Sequence, residues 1–210
     1  PPIALTDEVT AIGAALATMI AVHSGVGQVV DVSLLETMFQ IMGPLVSLYA
    51  LTGEMQPRLG SGLPYTVPRG TYQCADGGWV GVSSSSDSVA RRVTALLGVG
   101  DDERFATFAA RVAHRDELES LMTEWCRARP RDEVLRLFTE AEAAIGPVLD
   151  MADIAADPHY AARDAVVTVG DTPMQGVFAK LSATPGVLRW SGRSIDADGV
   201  SIRATKWGSG

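Results

Sequence analysis

Asp7 is the first residue in the chain placed to do chemistry. It opens the stretch DEVTAIGAALATMIAVH, residues 7–23, whose apolar positions Val9, Ile12, Leu16, Met19 and Ile20 recur at the three- and four-residue steps of a helix. A carboxylate at a helix start meets free N–H groups and the positive end of the helix dipole. Two roles follow: a helix cap, or a nucleophilic or acid/base carboxylate. Local sequence does not separate them. Gly60-Ser61-Gly62 offers bare backbone to a ligand, but no strand precedes it and no Lys-Ser or Lys-Thr follows. It reads first as a flexible connector. Ser83 to Ser86 has no GxSxG elbow around it and reads as a strand end plus a helix cap. His23, His114 and His159 are isolated, and Cys74 and Cys126 lack CxxC spacing. Neither a metal cluster nor a disulfide framework is expected. Arg127, Arg129 and Arg131 form the tightest basic group and read as a solvated helix end.

The background against which these residues act is acidic. The 210 residues carry a formal charge of −8, with 47% hydrophobic and 20% charged residues. That composition suits a folded core. Its sign argues against a nucleic-acid or an anionic-membrane partner. No uninterrupted apolar run approaches ~20 residues and no signal peptide is evident, so a cytoplasmic protein is expected. The chain opens Pro1-Pro2 without Met and closes Trp207-Gly208-Ser209-Gly210, which reads as part of a longer polypeptide or a processed product.

The elements that must position Asp7 come first. Between its large apolar residues the helix carries Ala11, Gly13, Ala14, Ala15, Ala17 and Thr18, small enough to let another backbone approach, so a buried helix is predicted. Ser24-Gly25-Val26-Gly27 ends it. Gln28 to Ser33 predicts a strand. A helix over about 34–51 follows, with Pro44 bending or dividing it. This helix–strand–helix order suggests an α/β layer arrangement. Residues 53–70 are dense in Gly and Pro, which places a domain boundary there. Asp76-Gly77 between Thr71–Cys74 and Trp79–Val82 predicts a β-hairpin. Helices are predicted near 87–97 (capped by Ser86 or Asp87), 102–113, 115–128 and 131–143, with Pro130 at the first turn of the last. His114 reads as a surface residue, Trp125 and Phe138 as core. Strands are predicted at 144–149 and 166–169, with a short helix 151–156 capped by Asp150 or Asp153. The tail from Leu181 has little periodicity and predicts an extended segment.

Four stretches taken in order resemble one family: ALTD before the Ala-rich helix, GVGQVVDVSLLET, RGTYQCADGGWVGV after the proline loop, and AIGPVLDMADIAADPHYAAR. Together they are similar to the family III CoA-transferases, the CaiB/BaiF group, which includes the α-methylacyl-CoA racemases. The resemblance covers about residues 3–186. It implies an α/β fold with a Rossmann-like large domain, an inserted small α+β domain and two interlocked chains. On this chain, 1–52 is the end of the first large-domain segment, 53–65 a linker or lid loop, 66–178 the small domain and 179–210 the return segment. The family's N-terminal half would lie outside the chain, and most CoA contacts with it.

The resemblance places the family's catalytic aspartate on Asp7 and implies an aspartyl-CoA covalent intermediate. CoA thioesters are then substrates, with no tightly bound cofactor and no metal, and the partners are an acyl-CoA, a carboxylic acid acceptor and a second copy of the chain. The 57–70 loop, with Gly60, Ser61 and Gly62, takes the place of a substrate lid, without a GGGG run. Two alternatives stand beside transfer: racemase-type proton transfer at the α-carbon, and a truncated scaffold without catalysis. Glu8-Val9-Thr10 after Asp7, where racemases tend to have an aromatic residue and a Gly run, favours transfer. His23, at the far end of the helix, does not replace a racemase histidine.

Overall fold

The computed structural model describes residues 3–84 and 86–205. The chain divides into two compact units, Pro1–Gly60 and Ser61–Gly210.

The first unit is three helices. α1 (Leu5–Ser24) ends where Gly25, at φ 70°, donates its N–H to the Val22 carbonyl at 3.2 Å. α2 (Leu34–Ile41) packs beside it. A Cβ added at Gly13 would lie 3.8 Å from the Thr37 methyl, an ordinary contact. Ser33 caps α2 by accepting the Glu36 N–H at 3.1 Å. Pro44 divides the predicted long helix, and α3 (Leu45–Thr52) leaves α2 at 67°.

Two expectations fail here. Gln28 to Ser33 is not a strand. Its β-branched residues suit extended backbone, but no strand among the described residues pairs with it, and an unpaired strand leaves its ladder groups unmet. Nor is α1 buried: Ile12, Leu16, Met19 and Ile20 are each more than 60% exposed. Its apolar residues run around most of the circumference, whereas α2 covers one stripe. Interruptions by small residues also hid that α1, at 20 residues, is long and apolar enough to cross a membrane. Core helices of soluble proteins meet the same criterion.

The second unit is built on a three-stranded antiparallel sheet, β1 (Arg69–Gln73), β2 (Trp79–Ser83) and β3 (Ile145–Val148), in that order. The predicted hairpin is β1–β2, with Tyr72 opposite Val80. Helices α4 (Asp87–Leu96), α5 (Phe108–Ala113), α6 (Arg115–Arg127) and α7 (Arg131–Glu140) follow. The predicted 102–113 helix is instead a 3-10 turn (Glu103–Phe105) followed by α5, because Thr107 starts a new helix by capping Ala110 N–H. Ser86, rather than Asp87, caps α4. The core gathers Tyr72, Val80 and Val82 from the sheet with Val93, Met122, Cys126, Val134 and Phe138 from the helices. Trp125 lies edge-on to Phe138 at 5.7 Å between ring centroids.

Beyond β3, Asp150 and Asp153 form a capping box at α8 (Met151–Ala156), and α9 (Pro158–Ala162) follows directly. β4 (Val166–Val169) pairs with β5 (Thr172–Gln175), a strand that Pro173 concealed in the sequence. The tail, predicted to be extended, is irregular, with several bends and a turn before a last short helix, α10 (Gly199–Ala204).

Candidate active site

Asp7 lies in the first turn of α1, two residues inside the helix start. The residue before the helix is Ala4, which has no side chain with which to cap. Asp7 is therefore not the cap that its position suggested. Its side chain is exposed and has no hydrogen-bond or ion-pair partner among the described residues. Leu5 N–H reaches the Ile3 carbonyl at 2.9 Å, and Glu8 N–H the Ala4 carbonyl at 3.1 Å. Between them the N–H groups of Thr6 and Asp7 have no acceptor among the described residues. Among the described residues, a carboxylate without a partner thus stands beside backbone donors without acceptors at the positive end of a 20-residue helix. Such a group can attack an electrophilic carbon, and such donors can stabilise an oxyanion that forms there.

The three loop residues part company. Gly60, at φ 59°, closes the first unit, and Ser61 and Gly62 open the second. Ser61 is fastened: its Oγ accepts the Thr71 N–H at 2.9 Å and the Thr71 hydroxyl at 3.2 Å. Farther along, the Arg115 guanidinium donates to the carbonyls of Leu63 and Pro64 at 2.8 and 2.9 Å. The loop from Ser61 onward is held along the β1 edge and against the start of α6, rather than serving as a free connector. No local pattern marks Arg115 for this role, because its partners lie some 50 residues away.

Other polar groups are structural. Glu119 accepts the Tyr72 hydroxyl at 2.6 Å and the Arg69 N–H at 3.2 Å. Burial first, and then the Glu119 charge, push the Tyr72 phenol far above its ordinary value. Arg111, 2% exposed, pairs with Asp87 and donates to the Phe105 carbonyl. His114 sits between α5 and α6 with Nδ1 3.0 Å from Glu117. Cys74 and Cys126 are buried free thiols in one core cluster. No group of three His, Cys, Asp or Glu side chains among the described residues is arranged to hold a metal. Arg129 stacks on Trp125 at 4.2 Å and Arg131 pairs with Asp153, so the basic trio is not a free anion site.

Comparison with known proteins gives a consistent pattern. The sequence profile of CoA-transferase family III matches residues 1–197. The chain is 33% identical over 205 residues to the succinyl-CoA–D-citramalate CoA-transferase of Chloroflexus aurantiacus, covering 92% of this chain and 51% of that protein. It is 35% identical over 159 residues to the succinate–glutarate CoA-transferase of Agrobacterium fabrum, covering 74% and 39%. A CaiB/BaiF family protein from Brucella suis has the same fold, with a TM-score of 0.78 at 27% identity, over 97% of this chain and 56% of that one. A hypothetical protein from Mycobacterium tuberculosis shares the fold at TM-score 0.69 and 18% identity. The chain spans about half the length of the curated relatives it matches.

Proposed function

The chain belongs to CoA-transferase family III, and from that premise we propose that the protein moves coenzyme A from an acyl-CoA to a carboxylic acid, with Asp7 as the covalent carrier. The observation that carries this reading is the exposed Asp7 carboxylate, which like the neighbouring Thr6 and Asp7 N–H groups has no hydrogen-bond partner among the described residues.

The chemistry balances without water, metal or redox partner. An Asp7 oxygen attacks the donor thioester carbon, the C–S bond breaks, and CoA leaves as thiolate, giving a mixed anhydride. The thiolate attacks the Asp7 carbonyl carbon, releasing the donor acid and leaving an aspartyl-CoA thioester. The acceptor carboxylate attacks that carbonyl and CoA thiolate leaves again. The thiolate then takes the acceptor's acyl carbon, and Asp7 is regenerated. Each tetrahedral intermediate places negative charge on an oxygen, which the open N–H groups at the helix start are suited to stabilise. Division into acyl transfers of similar energy makes a carboxylate, a poor nucleophile in water, adequate.

In this reading residues 1–52 end a Rossmann-like large-domain segment, 66–178 are the inserted domain and 179–210 return to the large domain, in an interlocked homodimer. An obligate dimer also accounts for the exposed apolar residues of α1 to α3, since faces of that kind are otherwise rare on a monomer.

Denaturing intact mass after exposure to a panel of acyl-CoA thioesters tests the reading. A CoA-sized adduct mapping to Asp7, discharged by an acceptor acid, is the expected result. Acceptor-dependent transfer with no adduct overturns the covalent route. Exchange of the α-hydrogen with solvent deuterium, without any acceptor, would identify proton transfer in its place.

A further inference from the structure

Four polar or charged side chains are buried among the described residues: Thr66, Ser84, Thr94 and Arg111. All lie in the second unit. Two of them are satisfied. Thr94 Oγ1 donates to the Arg91 carbonyl at 3.1 Å. Arg111 pairs with Asp87 and donates to the Phe105 carbonyl. Thr66 Oγ1 and Ser84 Oγ have no hydrogen-bond partner among the described residues, although the two residues are only 5% and 3% exposed. A buried hydroxyl without a partner costs folding free energy, so protein interiors satisfy such groups with protein atoms or with ordered water.

Both hydroxyls belong to the end of the β1–β2 ladder opposite the hairpin turn. Arg69 is opposite Ser83, and the ladder continues one step further, where the Ser84 N–H reaches the Pro68 carbonyl at 3.3 Å. Ser84 lies two residues beyond Val82, which alternation turns to the core face. Thr66 lies two residues before Pro68, on the segment that enters β1. The residues between are closed from solvent as well: Val67 and Pro68 are buried, and Val67 packs with Phe105 and Leu118. The Pro68 carbonyl takes the Ser84 N–H on one lone pair and has a second to offer.

Size and charge identify the occupant. Neither hydroxyl oxygen is open to solvent, so a substrate or cofactor does not reach them. A cation is disfavoured, because the buried Arg111 guanidinium sits on the Phe105 carbonyl of the same core cluster. An anion finds that guanidinium already taken by Asp87. A neutral molecule that both donates and accepts remains. Buried water makes about three hydrogen bonds, the number offered by the two hydroxyls and the Pro68 carbonyl.

We propose that the Thr66 and Ser84 hydroxyls, with the Pro68 carbonyl, form an internal hydration site that holds an ordered water molecule. The water joins the segment entering β1 to the segment leaving β2, beyond the last ladder hydrogen bond. The site is independent of the transfer chemistry.

Two measurements test it. A high-resolution crystal structure of the wild type is expected to show water density within about 3 Å of both Thr66 Oγ1 and Ser84 Oγ. Density at neither oxygen, or a direct bond between the two hydroxyls, overturns the proposal. In solution, water-oxygen relaxation dispersion counts long-lived internal waters in the wild type, Thr66→Val and Thr66→Ser. Valine matches threonine in shape but cannot bond the water. Thr66→Val is therefore expected to lose the amplitude of about one water and to melt about 2–4 °C lower, the effect of one lost hydrogen bond. Thr66→Ser keeps the hydroxyl and is expected to keep the amplitude. If Thr66→Val retains the full amplitude, or melts at or above the wild-type temperature, the hydroxyl is a true orphan whose removal relieves a penalty, and the site does not exist.

Discussion

The Asp76 carboxylate, in the β1–β2 turn, accepts the backbone N–H of Arg131 at 2.9 Å, 55 residues along the chain. Its other oxygen accepts Gly78 N–H at 3.1 Å. The neighbouring Ala75 N–H reaches the Arg129 carbonyl at 2.8 Å, so the hairpin turn is fastened across the α6–α7 junction. The Arg131 guanidinium continues to Asp153 at 3.2 Å, the residue that completes the capping box of α8. One Asp-Gly turn thereby ties the sheet to two helices. Gly78 is part of the arrangement, since a Cβ there would press on the Arg131 side chain at 2.9 Å.

Stability at acid pH should follow from this tie. The Arg131 N–H, with that of Gly78, holds Asp76 below the usual carboxylate range. The Asp150 N–H and then the Arg131 side chain do the same for Asp153. A depressed folded pKa gives stabilisation that is present above the unfolded value, about 3.9, and is lost as pH falls through the folded value. Thermal melts of the wild type should therefore drop below about pH 4. Asp76→Asn should melt lower at neutral pH and lose less on acidification. Parallel curves for the two proteins would refute the assignment.

Removal of the Asp7 carboxylate should separate activity from folding. Its side chain contacts no partner among the described residues, so Asp7→Ala should leave the circular dichroism spectrum and melting temperature unchanged. CoA transfer should fall by about 10⁴-fold or more, as for loss of a covalent nucleophile. An Asp7→Ala protein that still transfers CoA in the presence of an acceptor would eliminate the aspartyl route.

The parts of the fold legible in sequence were those fixed locally. Asp76-Gly77 announced the hairpin, Pro130 and Gly98 the helix breaks, and Asp150 with Asp153 the α8 cap, because each acts on backbone within a few residues. What failed depended on neighbours in space. Gln28 to Ser33 has strand composition but no described strand beside it, and the small-residue pattern of α1 signals close approach without saying by what. The site divided in the same way. Asp7 stood out through its helix start and family resemblance. The anchoring of Ser61 by Thr71, and of Leu63 and Pro64 by Arg115, comes only from tertiary contact.

Arg111 and Asp87 should behave unequally. Arg111 is buried, while the Asp87 side chain is 58% exposed. Asp87→Ala leaves a buried guanidinium with the Phe105 carbonyl as its one remaining partner among the described residues, which should cost about 1–3 kcal/mol. Arg111→Met releases Asp87 to solvent, and its cost is mainly that of lost hydrogen bonds. In the double variant the uncompensated charge is gone, so the two losses should sum to less than their parts. Urea unfolding of the four proteins measures the cycle, and strict additivity would show that the pair is not coupled.

The two thiols should report on opening of the core. Burial, and then the neighbouring Cys74, push Cys126 up to about 12. Burial, and then Asp76, raise Cys74. Thiolate is the reactive form, so at about pH 8 a Cys126 raised this far holds roughly a thousandth of the thiolate of a free cysteine. Native protein mixed with a thiol-reactive chromophore should therefore react slowly at both positions, and protein in denaturant should release two equivalents at once. Cys126→Ser should remove one equivalent in denaturant and one slow equivalent from the native trace, because the native reaction of each thiol requires prior opening of the sheet–helix core. Rapid reaction of one thiol in the folded protein would place that cysteine outside the core formed by Tyr72, Val80 and Phe138.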